Sequence, residues 1–316
     1  MIGLNRYSEG FQQDYWETVE KKLFPSKEEK EAEQKLILDS CRKFLPDDFF
    51  DSETPSLKEL VLAPFKKLKE AKSYIEHTSK GQMRKECFDP RSKNKSQIND
   101  LYFKIYEAFD KVADAKKNKT SMRVRMVAAA DITVCPYCNR DYINCRAETV
   151  AGAQLDHFFS RSEYPVFAVC LYNLVPVCAN CNRVKSAKSE EFASPFDETI
   201  DWDKEITFTY KLDGLNVAEI DIKIEPDNKA IENNIAAMRI KAAYQIHTLE
   251  IMELREKQEA YSKSQKEEIR DVLHCLNISD EEIKRIVFGK EILPEDMRKK
   301  PLGKLLRDIH KELKIY

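Results

Sequence analysis

Glycine and proline are scarce in this chain, with 7 and 12 among 316 residues, and this favours a mostly helical soluble protein. No stretch approaches eighteen consecutive apolar residues, and Met1 to Arg6 lack the apolar core of a signal peptide. The phosphate-binding pattern Gly-x4-Gly-Lys-Ser/Thr is also missing, so any nucleotide dependence must come from a partner. We therefore expect a cytoplasmic protein without a membrane-spanning segment.

Cysteine, by contrast, is present nine times. An odd number without a secretory signal indicates thiols and metal rather than a disulfide framework. Four of the nine form two Cys-x-x-Cys knuckles, Cys135 with Cys138 and Cys178 with Cys181, separated by about forty residues. Two such knuckles suit a tetrahedral Zn²⁺ site made of four thiolates. The segment between them then becomes a loop tied at its base.

The net charge of −2 hides an asymmetry along the chain. Residues 91–190 carry 16 Lys and Arg against 10 Asp and Glu, whereas residues 191–316 carry 21 against 27. Residues 1–90 carry 16 against 18. The basic excess therefore coincides with the cysteine segment, as expected of a surface that meets a phosphate backbone.

Helical periodicity dominates on both sides of the cysteine segment. We predict helices over about 11–23, 27–45, 54–77, 97–117, 229–260, 264–275, 279–288 and 302–314. The third should open with Thr54 as N-cap and Pro55 in the first turn, and 81–96 is predicted to be a loop. Two runs of alternating apolar residues, 206–210 and 220–224, flank Asp213-Gly214 and predict a β-hairpin.

An adjacent Asp156-His157 pair ends an apolar run between the knuckles. Phosphodiester hydrolysis needs a base for the attacking water and a cation for the charge on the phosphate. A histidine supplies the base near neutral pH, and Mg²⁺ needs only one or two protein oxygen ligands. Adjacent side chains on a strand point to opposite faces, so we expect the strand to end or bend at this pair.

Three stretches together resemble the HNH, or ββα-metal, endonucleases. They are Leu155-Asp156-His157, Asn173-Leu174 and Cys181-Asn182-Arg183-Val184-Lys185-Ser186, flanked by the knuckles. The resemblance implies a β-hairpin followed by a helix, with His157 as general base. It also implies Asp156 and Asn182 as ligands of a catalytic Mg²⁺, Mn²⁺ or similar ion, and Asn173 as the residue that holds the loop and orients the histidine.

The same resemblance implies a nucleic-acid surface beside the site. Arg183, Lys185 and Lys188 are expected to face phosphates from the helix that begins near Ala179, and Arg161 is a further candidate. The proline often found three residues after the histidine is replaced by Ser160, and Pro165 comes later. The similarity covers roughly residues 130–197.

The resulting fold class is mainly α, with a small central ββα-metal (HNH) module on a four-cysteine zinc site and a β-hairpin after it. We divide the chain into a helical region 1–125, an HNH nuclease module 126–199, and a hairpin plus helical region 200–316. Residues 200–316, with the N-terminal helices, are expected to dock onto a partner, and the zinc site to survive deletion of 229–316.

The layout resembles stand-alone HNH nucleases of bacterial antiphage systems, including Septu-type nuclease subunits, which act with a separate ATPase. This implies an endonuclease that cuts nucleic acid, with double-stranded DNA favoured, alongside a protein partner such as an AAA- or ABC-type ATPase. A restriction or mobile-element HNH nuclease acting alone is the alternative within the family.

Other function classes fit the cysteine segment less well. Cys135-Pro136-Tyr137-Cys138 matches a glutaredoxin redox motif, but the Gly-Gly element of that fold is missing and the second knuckle pairs with the first. A zinc deaminase needs His-x-Glu, whereas His157 is followed by two phenylalanines. A zinc module that binds nucleic acid without cutting it stays open.

Overall fold

The computed structural model describes residues 1–25, 30–78, 97–186, 191–213, 218–261, 268–269, 272 and 279–316. About half of the described residues are helical, which confirms the prediction of a mainly helical protein with small sheets. The helices are α1 (Glu9–Leu23), α2 (Lys30–Arg42), α3 (Leu57–Val61), α4 (Phe65–Thr78), α5 (Gln97–Ala113), α6 (Met122–Ala129), α7 (Ala179–Lys185), α8 (Lys229–Ala237), α9 (Ile240–Tyr244), α10 (Thr248–Ala260), α11 (Asp280–Phe288) and α12 (Gly303–Glu312).

The strands pair as three antiparallel two-stranded sheets within the described ranges. They are β1 (Lys116–Lys117) with β2 (Thr120–Ser121), β3 (Gln154–His157) with β4 (Leu174–Val177), and β5 (Ile206–Leu212) with β6 (Ala218–Ile224). The predicted hairpin is confirmed: Ile206 lies opposite Ile224 and Phe208 opposite Ile222, so the apolar residues share one face.

The prediction of one helix that opens at Thr54 is wrong: helical structure starts three residues later, and it is divided into two helices. α3 begins at Leu57, where the Ser56 side chain accepts a hydrogen bond from the Glu59 amide and so provides the N-cap. α4 is a separate helix that follows Pro64. A proline inside one continuous helix would remove a backbone donor and clash with the preceding turn, and the chain breaks there instead.

The single helix predicted over 229–260 is also divided. α8 ends at Ala237, and Arg239 then adopts a left-handed backbone with φ 52° before α9 starts. The 3-10 turn Gln245–His247 separates α9 from α10. The spacing of apolar residues continues across these breaks, which is why periodicity alone predicts one helix.

One hydrophobic core runs through all three regions of the chain. The α1 residue Tyr15 is fully buried and its hydroxyl donates to the Val169 carbonyl at 2.9 Å. From the other side, the Tyr244 hydroxyl on α9 donates to the Cys138 carbonyl at 2.6 Å. The cysteine segment therefore lies between helices of the N-terminal and C-terminal regions.

The C-terminal region forms hydrogen bonds with the first knuckle at Asn139, whose side chain is fully buried. The Asn139 side-chain amide donates to the Met297 carbonyl at 2.7 Å and accepts from the Lys304 backbone amide at 2.8 Å. The Asn139 backbone carbonyl accepts from the Leu302 amide at 2.6 Å. Residues beyond 229 thus hold the knuckle in place, which argues against the expectation that the zinc site survives their deletion.

Several sequence predictions lie outside the described residues. These are the loop at 81–96, the Gly214 end of the hairpin turn, Lys188, and most of the helix over 264–275. Within the described part of the chain, no helix combines the length and the apolar character needed to cross a membrane.

Candidate functional site: a four-cysteine cluster beside an Asp-His pair

Each knuckle is a tight turn that presents two sulfurs. In the first, the Asn139 backbone amide donates to the Cys135 carbonyl at 2.7 Å, and Asn139 takes a left-handed conformation that asparagine tolerates. In the second, Cys178 is the N-cap of α7, and its sulfur accepts from the Cys181 amide at 3.4 Å. The first turn is buried, Ala179 and Asn180 of the second are exposed, and the sulfurs of the two turns face each other.

The two turns bring the four cysteine sulfurs together. Cys135, Cys138, Cys178 and Cys181 are all buried, and their Sγ atoms lie within 4.8 Å of one another. With Zn–S bonds of about 2.3 Å, a tetrahedral site has sulfur–sulfur edges of about 3.8 Å, and Cys138 and Cys178 approach to 4.0 Å. The geometry and the donor set therefore fit a metal ion such as zinc.

The electrostatics of the cluster also favour a bound cation. Burial raises the pKa of the Cys135 thiol well above its ordinary value. The neighbouring thiols hold the pKa of Cys138 far below its ordinary value, because they donate hydrogen bonds to its thiolate. One buried thiolate can be accommodated in this way, whereas four require a divalent ion to balance them.

Asp156 lies on β3 with its carboxylate buried between the first knuckle and α7. Its Oδ2 accepts from the Tyr137 hydroxyl at 2.6 Å, and Tyr137 belongs to the first knuckle. The Lys185 ammonium, from the helix that starts in the second knuckle, lies 2.9 Å from Oδ2 and 3.2 Å from Oδ1. Burial, with the Asp156 charge adding to it, raises the pKa of Tyr137, which keeps its hydroxyl as a donor.

His157 ends β3 and faces away from Asp156, as alternation along a strand requires. Its Nε2 lies 3.0 Å from the Ala168 carbonyl, which can only accept, so Nε2 carries the proton. The Nδ1 atom is then the basic nitrogen. Burial lowers the pKa of His157 from 6.5 to about 3, with the Arg161 charge adding to that effect.

The N-terminal region contributes one wall of the histidine site. The Phe109 ring on α5 meets the His157 imidazole edge-on, with centroids 4.3 Å apart. The Arg161 guanidinium lies over the same Phe109 ring, 5.1 Å from its centroid, and 3.7 Å from Asp110. His157 is therefore held by contacts from α5 as well as from its own loop.

Asn173 closes the loop that follows the histidine. It is fully buried, its Oδ1 accepts from the Phe159 amide at 2.8 Å, and its Nδ2 donates to the carbonyls of Phe159 and Phe167. The turn after Phe159 is fastened by Ser160, whose carbonyl accepts from the Tyr164 amide at 2.8 Å. Ser160 thus starts this turn.

Asn182 lies on α7 beside the outer end of β3. Its Nδ2 donates to Gln154 Oε1 at 2.8 Å, so its amide oxygen is the atom left to bind a cation. Gln154 and Asp156 share one face of β3, so Asn182 and Asp156 lie along the same face. Arg183 is exposed at the outside of α7, with a 3.4 Å contact to Asn180.

Lys185, predicted to face phosphates, is placed differently by the structure. Its side chain is 4% exposed, and it points inward to Asp156 instead of outward to solvent. The reason is its position on α7: three residues after Asn182, it lies on the helix face that packs against β3.

Two residues that sequence reasoning missed are Tyr137 and Phe109. Tyr137 could have been noticed as a polar aromatic between two metal ligands, but the sequence carries no signal that Asp156 is its partner. Phe109 belongs to an ordinary apolar helix face, and its contact with His157 depends on packing between distant segments.

Comparisons with known protein families, with curated proteins and with solved structures find no match for this chain.

Proposed function

We propose that this chain is an HNH-type endonuclease that hydrolyses phosphodiester bonds. The observation that carries the proposal is the placement of His157. His157 ends β3, the first strand of the antiparallel β3–β4 pair, and the chain continues from β4 through the second cysteine knuckle into α7. The Nε2 of His157 donates its proton to the Ala168 carbonyl. A histidine fixed in this way presents one defined basic nitrogen.

In the proposed reaction His157 Nδ1 accepts a proton from water as the water oxygen attacks phosphorus. The phosphorus–oxygen bond to the leaving group then breaks, and the leaving oxygen takes up a proton. Because its pKa is lowered, His157 is neutral at physiological pH and ready to accept that proton. An approaching phosphate raises the pKa of the imidazole and strengthens it as a base.

A divalent cation such as Mg²⁺ or Mn²⁺, when bound, supplies positive charge for the phosphate and the leaving oxygen. The residues that would hold it are Asp156 and Asn182, which offer one carboxylate and one amide oxygen on a shared face. Hard oxygen donors of this kind suit Mg²⁺, which keeps several of its own waters. Zn²⁺ is proposed for the four cysteines.

Double-stranded DNA is the favoured substrate within this proposal. The basic excess in the sequence of residues 91–190 and the exposed Arg183 on α7 support a surface that meets phosphates. The antiphage role and the ATPase partner belong to the proposal as well. Support for a partner comes from two exposed apolar side chains: Ile246, in the 3-10 turn before α10, is 70% exposed, and Leu249, in the first turn of α10, is 65% exposed.

The proposal is tested by incubating the purified chain with supercoiled plasmid, linear duplex and single-stranded RNA, each with Mg²⁺, Mn²⁺ or EDTA. We expect nicking or cutting of DNA that needs the divalent ion. A chain that holds its zinc and binds DNA, yet cuts none of these substrates at any divalent concentration, would support the non-catalytic zinc module instead.

A further inference from the structure

The buried Lys185–Asp156 pair bears on how the proposed site acquires its metal. The Lys185 ammonium lies within hydrogen-bonding distance of three acceptors: Asp156 at 2.9 Å, the Phe158 carbonyl at 3.2 Å and the His157 carbonyl at 3.4 Å. Its Nζ also lies 5.4 Å from the Phe158 ring centroid. An ammonium has three donors, so this lysine is fully satisfied inside the protein.

The carboxylate of Asp156 is equally occupied. Lys185 contacts both of its oxygens, and the Tyr137 hydroxyl occupies a second position on Oδ2. Only 6% of the Asp156 side chain is exposed. A divalent ion on this carboxylate would sit within a few ångströms of the lysine ammonium, where like charges repel strongly in a partly dry environment.

We propose that Lys185 is the resident cation of Asp156 and that a divalent ion binds only by exchange, with the ammonium leaving the carboxylate. This inference rests on the proposed function, since it assumes that Asp156 is a ligand of the catalytic ion. Tyr137 stays on Oδ2 in the exchange and keeps the carboxylate aimed. The released ammonium then lies on α7 next to Asn182, which precedes it by three residues on the same helix face.

The exchange affects how tightly the Asp156 site binds a divalent ion. A divalent ion must displace the Lys185 ammonium from Asp156, so the wild-type protein binds the ion weakly. Any group that attracts the Lys185 ammonium away from Asp156 therefore favours binding of the divalent ion. A phosphodiester backbone along α7 is such an attractor, because it offers anionic oxygens to a lysine that no longer has Asp156. Metal and nucleic acid should therefore bind with positive coupling.

The first test uses the wild-type full chain with ¹⁵N-labelled lysine. Ammonium protons of buried lysines exchange slowly and are observed by NMR, and Lys304, which is fully buried and 2.7 Å from Asp308, is an internal control. Lys185→Arg and Lys304→Arg assign the two signals while keeping the charge. On addition of Mg²⁺ we expect the Lys185 signal to shift or vanish in a saturable manner and the Lys304 signal to stay.

The second test measures Mn²⁺ binding by calorimetry to the wild type and to Lys185→Met, with metal content and thermal unfolding as checks on folding. Removing the competing ammonium should tighten binding roughly tenfold or more. If the Asp156→Asn variant abolishes Mn²⁺ binding while the wild-type Lys185 signal stays unchanged at saturation, the exchange is wrong and the proposed function stands. Binding absent from both the wild type and Lys185→Met overturns the exchange together with the Asp156 metal site.

Discussion

At the scale of single residues, Asn173 and His157 are both held by hydrogen bonds to backbone groups. Asn173 ties the Phe159 and Phe167 segments together, and His157 is fixed by the Ala168 carbonyl. Backbone partners leave little rotamer freedom to either side chain. The imidazole consequently keeps one tautomer and one orientation before any substrate arrives.

Asn173→Ala should destabilise the protein by roughly 2–4 kcal/mol, since three buried hydrogen bonds are lost and their backbone partners stay unpaired. Urea unfolding of the purified variant measures the change. Asn182→Ala is the matched control: its side chain is partly exposed, and we expect a cost within about 0.5 kcal/mol. Equal stability losses in the two variants would contradict the role assigned to Asn173.

At the scale of elements, the sequence was most informative where spacing alone decides the outcome. The spacing of the cysteines predicted the four-cysteine cluster, and the alternation of apolar and polar residues predicted the β5–β6 pairing, in which Ile206 lies opposite Ile224. It was least informative where the backbone departs from regularity, as at Arg239 with its positive φ. The inward turn of Lys185 was unpredictable because it depends on which face of α7 meets β3.

The cysteine cluster leads to a prediction for the knuckles. Cys135→Ser should lose the metal and unfold or aggregate, because structural zinc contributes about 10–16 kcal/mol in small peptides, against about 5–15 kcal/mol for a whole domain's stability. Elemental analysis should find about one zinc per wild-type chain. Cys145→Ser, at a cysteine outside the cluster, should keep its zinc. A folded, zinc-free Cys135→Ser protein would refute the metal assignment.

α12 carries a histidine whose titration should make stability depend on pH. Burial, with the nearby Lys300 charge, lowers the pKa of His310 from 6.5 to about 4 in the folded protein. The unfolded chain therefore binds a proton between these values that the folded chain does not. The contribution of His310 to stability is present above pH 6.5 and is lost as the pH falls towards 4.

Between about pH 7 and pH 4, the free energy of unfolding should fall more for the wild type than for His310→Gln. Urea unfolding at several pH values measures the difference. Parallel curves for the two proteins would show that His310 keeps its ordinary pKa in the folded state.

At the scale of the whole molecule, the C-terminal region supports the first knuckle in addition to any partner it binds. Tyr244 and the segment around Leu302 bond directly to the backbone of Cys138 and Asn139. The cysteine cluster is therefore stabilised by residues that are distant in sequence. A chain ending before α8 would lack these contacts.

Tyr244→Phe should weaken retention of the metal, because the Cys138 carbonyl loses a buried donor at a cost of about 1 kcal/mol or more. Zinc release to a chelator, followed with a chromogenic indicator, should be several-fold faster than in the wild type. Tyr142→Phe, four residues after Cys138, is the control, since Tyr142 is 63% exposed. Identical release from both variants would contradict the support assigned to Tyr244.

The most direct test of the nuclease proposal compares cleavage of supercoiled plasmid by the wild type, His157→Ala and His77→Ala under Mg²⁺. His77 is an exposed histidine on α4, bonded through Nδ1 to the Ser73 carbonyl at 2.7 Å, so it controls for the same chemical change elsewhere. We predict that His157→Ala loses at least about a hundredfold in rate, the usual scale of general-base catalysis, while its DNA binding and zinc content stay unchanged. Undiminished cleavage by His157→Ala would contradict the proposal that this site is the nuclease.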